Sequence, residues 1–187
     1  MSGNVFLIAG PSGVGKGTVV KELLKLDQKL WVSISATTRT PRDGELDGVN
    51  YHFITQEKFQ EMIDSDGFLE YARYVGNGYG TPKQQLVEKT AAGYDAILEI
   101  EVQGCKQVKQ KMPEVKGIFI LPPGVGELER RLRGRGSESE DKIRQRLDTA
   151  KIEMSQISDF DFFVVNDNVS DTAKKILAII RGYRQKD

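Results

Sequence analysis

The run Gly10-Pro11-Ser12-Gly13-Val14-Gly15-Lys16 holds residue types that can gather an anion. Its glycines let the backbone curl until several amides face one point, a following helix would add favourable potential for phosphate at its amino terminus, and Lys16 adds a full charge. The context fits, because the β-branched stretch Val5 to Ala9 comes before the run and an amphipathic stretch, Lys16 to Leu26, follows it. The usual pattern asks for Ser or Thr directly after the lysine; here Gly17 stands there, with Thr18 next. The expectation is that Gly10, Pro11, Ser12, Gly13, Val14, Gly15, Lys16, Gly17 and Thr18 hold a polyphosphate. Magnesium, a hard cation content with oxygen, would be held through Thr18, water and phosphate oxygens, its protein ligands being left open.

Two further groups of residues could act on anions. Ser35 to Glu45 sets Arg39 and Arg42 among hydroxyl side chains, and Tyr51, the stretch Phe68-Leu69-Glu70-Tyr71 and the stretch Gly76-Asn77-Gly78-Tyr79-Gly80-Thr81 follow. Six of the eleven arginines then fall between Arg130 and Arg146. Ion pairs along a helix contribute only a few tenths of a kcal/mol each and give no reason to choose arginine over lysine. Planar guanidinium groups, by contrast, match phosphate oxygens. Gly124, Gly126, Gly134 and Gly136 supply flexible breaks around this cluster. Glu99 and Glu101 close a buried strand at the end where α/β sheets receive ligands.

The elements that must position these residues alternate. Val5 to Ala9, Trp31 to Ile34, Ala96 to Ile100, Gly117 to Leu121 and Phe162 to Val165 read as buried parallel strands. Amphipathic stretches at Lys16 to Leu26, Gln103 to Lys111, Val125 to Arg133, Glu138 to Ser155 and Asp171 to Tyr183 read as helices. This predicts an α/β fold with a five-stranded parallel core sheet flanked by helices. Pro82 as a first helical residue and Gly93 as a left-handed terminator bracket another helix. Ser137 and Glu140 have the spacing of a capping box. From Ala36 to Thr81 the alternation breaks: a helix at Gln56 to Asp64 lies between strand-like Tyr51 to Ile54 and Phe68 to Val75, as in a small mixed α/β insert that serves as a flap.

Composition narrows the partners. The chain has 187 residues, 27 Lys and Arg against 27 Asp and Glu, one cysteine (Cys105) and one histidine (His52). Zero net charge argues against a general nucleic-acid or anionic-membrane binder. A lone cysteine and histidine allow neither an internal disulfide nor a zinc cluster, and no apolar run reaches a signal peptide or a membrane span. The expectation is one domain, a monomer or small homo-oligomer, in the cytoplasm.

The phosphate loop, the TTRTPR segment at Thr37 to Arg42, the NGYGT segment at Asn77 to Thr81 and the GRG segment at Gly134 to Gly136 together resemble the guanylate kinases, in that family's order and over essentially the whole chain. The resemblance implies a P-loop kinase fold: core 1–34, 82–123 and 156–187, a GMP-binding insert at 35–81 and a helical lid at 124–155. It implies Mg²⁺-dependent, reversible transfer of the γ-phosphoryl group of ATP to GMP, and also to dGMP, in purine nucleotide metabolism. Arg39, Arg42, Tyr51 and Tyr79 would hold the acceptor phosphate; Ser35, Glu70 and Thr81 would read the base. Lys16, Arg135, Arg146 and Arg131 would serve the transferring group, Asn166 would lie near the donor base, and Glu101 would help organise the acceptor or the metal shell, although the family commonly has Asp there. Arg130, Arg133 and Arg144 are assigned to surface ion pairs, and His52 and Cys105 to structure.

Glu70 has a physical case of its own. Guanine's pairing edge offers N1–H and an exocyclic amine as parallel donors, which one carboxylate accepts together. Adenine puts a lone pair at N1, and sites of this kind discriminate by up to ~10⁴. Two rival readings share these features: a non-catalytic guanylate-kinase-like module that binds a phosphopeptide in the acceptor pocket, and an enzyme of the same architecture with another small acceptor. The intact lysine and arginines speak against the first, and Glu70 with Ser35 and Thr81 against the second.

Overall fold

The computed structural model describes residues 2–134 and 139–184. Its frame is a parallel sheet of Val5–Ala9 (β1), Leu30–Val32 (β2), Asp95–Glu99 (β7), Lys116–Leu121 (β8) and Phe162–Val165 (β9), in the order β2-β7-β1-β8-β9. Alternation along β1 shows why these strands read as unbroken apolar runs. Phe6 and Ile8 enter one core with Val19 and Leu23 of Lys16–Leu26 (α1) and Ile176 and Ile180 of Val169–Arg184 (α7). Leu7 and Ala9 enter the opposite core with Leu86 of Lys83–Ala91 (α3) and Cys105 and Val108 of Val102–Lys111 (α4). A sheet covered on both faces has no polar side to show.

β1 and β9 have the bounds read from the sequence, while β2, β7 and β8 differ from it by a residue or two at one or both ends. β7 begins at Asp95, whose buried carboxylate accepts from the Asn4 N–H at 2.8 Å and pairs with Arg184. That polar start hides the strand's first residue from a hydrophobicity pattern. Helix Glu140–Ser155 (α6) begins with Ser139 as its N-cap, so Glu140 is the first helical residue rather than the third that a capping box from Ser137 requires; Ser137 lies outside the described residues. Pro82 is the N-cap of α3, one position earlier than expected, and Gly93 is left-handed at φ 85° as expected.

The segment breaking the alternation forms a second sheet. Ala36–Thr37 (β3), His52–Phe53 (β4), Phe68–Tyr74 (β5) and Asn77–Pro82 (β6) pair in the order β4-β3-β6-β5, with Gln56–Asp64 (α2) packed on them. The sequence reading missed β3 and β6. β6 is rich in glycine and ends in proline, a poor strand by propensity. Packing explains the choice: a Cβ at Gly78 would lie 2.7 Å from the Phe59 ring, and one at Gly80 2.8 Å from Phe68.

This second sheet is docked to the core by α4. The Gln107 side-chain amide donates to Tyr71 O at 3.0 Å and accepts from Tyr71 N–H at 3.2 Å, so one side chain satisfies β5 as a neighbouring strand would. Val125–Arg133 (α5) and α6 carry a small core of their own, with Leu128, Leu132, Ile143 and Ala150 buried together. Among the described residues no helix is long and apolar enough to cross a membrane.

Candidate functional site

The loop between β1 and α1 curls as its glycines permit. Gly13 and Gly15 take φ of 89° and 95°, a region costly for other residues. A side chain at Gly13 would also strike Leu132 of α5, its Cβ lying 2.7 Å from Leu132 Cδ2. Lys16 folds back so that Nζ donates to Gly10 O at 2.6 Å. Burial pulls its ammonium below the usual lysine range, and the carboxylates of Glu153, Glu99 and Glu101 oppose that shift.

Arginines reach this loop from both α5 and α6. Arg131 donates to Val14 O at 3.2 Å and Asn166 O at 3.0 Å while held by Glu127 at 2.7 Å. Arg146 donates to Ser12 Oγ from Nε at 3.1 Å and Nη2 at 2.9 Å. Asn166 is buried; its Nδ2 donates to Val14 O at 2.8 Å, and its Oδ1 accepts from Thr172 at 3.2 Å. An open hollow of ≈ 580 Å³ lies against this corner, bordered by Gly15, Thr18, Pro123, Arg130, Arg131 and Asp167. Arg130 therefore borders the hollow as well as pairing with Glu127; Arg133 pairs with Glu129 at 3.0 Å and with Glu140, and Arg144 is exposed. Arg135 lies outside the described residues.

An arginine–tyrosine cluster lies on the small sheet. Arg39 makes a two-pronged pair with Glu45 at 2.6 and 2.7 Å, and its guanidinium carbon sits 5.0 Å from the centre of the Tyr51 ring. That pairing holds the Glu45 carboxyl down at about 2. Tyr51 and Tyr79 meet edge to face at 6.2 Å. The Arg42 side chain is exposed, while its N–H donates to Glu45 at 2.8 Å. Glu45 as the residue that orients the Arg39 guanidinium and also caps the main-chain N–H of Arg42 was not foreseen; an acidic residue six positions after Arg39 was the available signal.

Glu70 is 7% exposed, and its Oε1 accepts from the Thr81 hydroxyl at 2.6 Å. Antiparallel pairing of β5 with β6 sets these residues opposite each other. The other oxygen lodges over α4, where a Cβ on Gly104 would approach Oε2 to 2.8 Å. Burial pushes the Glu70 carboxyl up, and the charge of Glu101 adds to that. Ser35, half-buried, directly precedes β3. His52 meets Gln85 at 2.9 Å, and burial pushes the Cys105 thiol up to about 12, so both fit structural roles.

One carboxylate links the phosphate loop electrostatically to the small sheet. Glu101, exposed at the N-cap of α4, is an electrostatic neighbour of both Lys16 and Glu70. Glu99 sits deeper: Gly17 leaves so little beside it that a Cβ there would lie 3.4 Å from Glu99 Oε1. Burial pushes the Glu99 carboxyl up, while Lys16 and Lys21 pull it down. Among the described residues no three His, Cys, Asp or Glu side chains converge as a metal site.

A lysine-bearing phosphate loop at the carboxyl edge of a parallel sheet, with arginines on top and an arginine–tyrosine cluster on the small sheet, defines a P-loop phosphotransferase. The sequence model described as Guanylate kinase matches residues 2–183. Guanylate kinase of Prochlorococcus marinus (strain MIT 9312) is 53% identical over 95% of this chain and 96% of its own. That of Clostridioides difficile (strain 630) is 50% identical over 98% and 90%. The crystal structure of guanylate kinase from Anaplasma phagocytophilum superposes with a TM-score of 0.78 at 32% identity, covering 97% of this chain and 87% of that one. The chain belongs to the guanylate kinase family, and it is a nucleoside monophosphate kinase.

Proposed function

We propose that the protein moves the γ-phosphoryl group of ATP onto GMP or dGMP, reversibly, giving ADP and GDP or dGDP, in purine nucleotide metabolism. The observation that carries the choice of acceptor is Glu70, a buried carboxylate anchored by Thr81 at 2.6 Å and seated over a glycine. Guanine's two parallel donors satisfy it; adenine would leave it facing a lone pair, a mismatch that sites of this kind reject by up to ~10⁴. Ser35 and Thr81 complete the base pocket, and Arg39, Arg42, Tyr51 and Tyr79 hold the acceptor phosphate. Glu45 keeps Arg39 aimed, so less side-chain freedom is lost on binding.

On the donor side, Gly10, Pro11, Ser12, Gly13, Val14, Gly15, Lys16, Gly17 and Thr18 cradle the phosphates of ATP, and Asn166 lies at the base end. Lys16, Arg131, Arg135 and Arg146 neutralise the charge of the transferring group. The Thr18 hydroxyl, bordering the hollow, and the Glu99 carboxylate, beside Gly17, are oxygen donors of the kind that would suit a magnesium ion that otherwise keeps water and nucleotide oxygens. When bound, Mg²⁺ supplies charge neutralisation at the phosphate oxygens. Glu101 bridges the two halves of the cleft.

No general base is required. A nucleoside monophosphate has its second pKa near ~6, so its attacking oxygen is already ionised at neutral pH. What remains is alignment and charge neutralisation, which Lys16 and the arginines provide. Closure of the insert, 35–81, and the lid, 124–155, onto the core would exclude water and so favour transfer over hydrolysis. A lone, buried cysteine suits a reducing compartment, and we place the activity in the cytoplasm.

A coupled ADP-release assay with ATP, magnesium and a panel of nucleoside monophosphates tests this reading. GMP and dGMP should release ADP, with AMP, CMP and UMP slower by about 10³ or more; no GMP-dependent release would refute it. Gly104→Ala checks the seat of Glu70. Its methyl group overpacks the carboxylate, so the KM for GMP should rise roughly tenfold while that for ATP stays constant. An unchanged KM for GMP would show that Glu70 does not need this clearance.

A further inference from the structure

One contact of the phosphate loop that the proposed reaction does not use is made by a carboxylate. Glu153, on α6, accepts a hydrogen bond from the main-chain N–H of Ser12 at 3.1 Å. Ser12 stands in the middle of the phosphate loop, where amides serve anions. Glu153 and Arg146 are seven positions apart on α6 and thus on the same face. Arg146 holds Ser12 Oγ at 2.9 Å while Glu153 holds Ser12 N–H, so α6 grips one loop residue by its hydroxyl and its main-chain amide. Glu153 is also the foremost of the carboxylates whose charge acts on Lys16.

We propose that Glu153 is an internal stand-in for phosphate: in the unliganded enzyme its carboxylate occupies an amide of the cradle and pins α6, and the donor's phosphates must displace it to bind. The inference rests on reading the cradle as the donor site. An ionised carboxylate and a polyphosphate cannot share one amide, and their like charges repel across a cleft partly screened from water. Displacement frees the face of α6 that carries Arg146. Arrival of ATP is thereby linked to release of the arginine that serves the transferring group. Burial already pushes the Glu153 carboxyl up, so its charge is held there at a cost that its release recovers.

The test is titration calorimetry of ATP and, separately, GMP on the full chain and on Glu153→Gln. The amide variant keeps size and can still accept from Ser12, but it carries no charge. ATP should bind roughly three- to tenfold tighter to the variant, since a charge-assisted hydrogen bond is exchanged for a weaker neutral one. GMP affinity should not change. A residue that merely braces the loop would give the opposite result, weaker ATP binding, and that outcome or equal affinity overturns the proposal. In the wild-type protein, the ¹³C resonance of the Glu153 carboxyl carbon should move as ADP saturates the site; a stationary resonance would also overturn it. Failure of the wild-type protein to bind ATP at all would instead overturn the donor-site reading beneath it.

Discussion

Lys16→Met is expected to lower kcat/KM by about 10³ without unfolding the protein, because a preorganised charge aimed at a transferring phosphoryl group contributes at that level. Methionine matches the aliphatic stem in length and leaves the packing around α1 in place. The ammonium is a costly guest of the fold, since burial holds its affinity for a proton below that of a free lysine. The sign follows: a group that gives up its proton more readily when folded than when unfolded opposes folding at neutral pH, and that opposition fades as pH rises through the lysine range. Thermal melting of the variant at neutral pH should therefore match or exceed the wild type. Loss of turnover with an intact melting transition confirms the role; wild-type turnover removes Lys16 from the chemistry.

Glu70→Gln carries the second large effect. One amide cannot accept from both guanine donors, so its NH₂ would oppose a donor and leave a buried polar group unpaired. The expected result is a loss of about 10² to 10³ in kcat/KM for GMP, with ATP affinity unchanged. The Thr81 bond survives, since the amide oxygen accepts it as Oε1 does now. Burial pushes the Glu70 carboxyl up, so the folded state binds its proton more tightly than the unfolded chain and loses stability as pH rises through that interval. The neutral variant escapes this loss and should melt higher than wild type at pH 7. A melting point that falls together with GMP use would mean that the side chain holds the sheet together instead of reading a base.

Much of this was legible because short-range chemistry dictated it. The phosphate loop is one contiguous run between a strand and a helix, and Val5–Ala9 and Lys16–Leu26 have the bounds that their patterns predict. The Glu70–Thr81 pair could be anticipated only through resemblance, because what joins the two is the register of β5 against β6. β6 itself, Asn-Gly-Tyr-Gly-Thr-Pro, is made a strand by the phenylalanine rings that cover its glycines, a tertiary cause that no local pattern carries. Glu153 and Gly104 were invisible for a similar reason. One is an acid on a charged helix and the other a glycine inside a helix; each acquires meaning only from a residue more than 30 positions away.

Gln107 has a consequence beyond docking. β5 forms one border of the small sheet, and bare borders recruit strands from other molecules. By occupying both main-chain polar groups of Tyr71, this glutamine blocks such recruitment at the middle of the strand. The brace that keeps the Glu70 strand beside α4 thus also closes off, at Tyr71, an edge along which another chain could add.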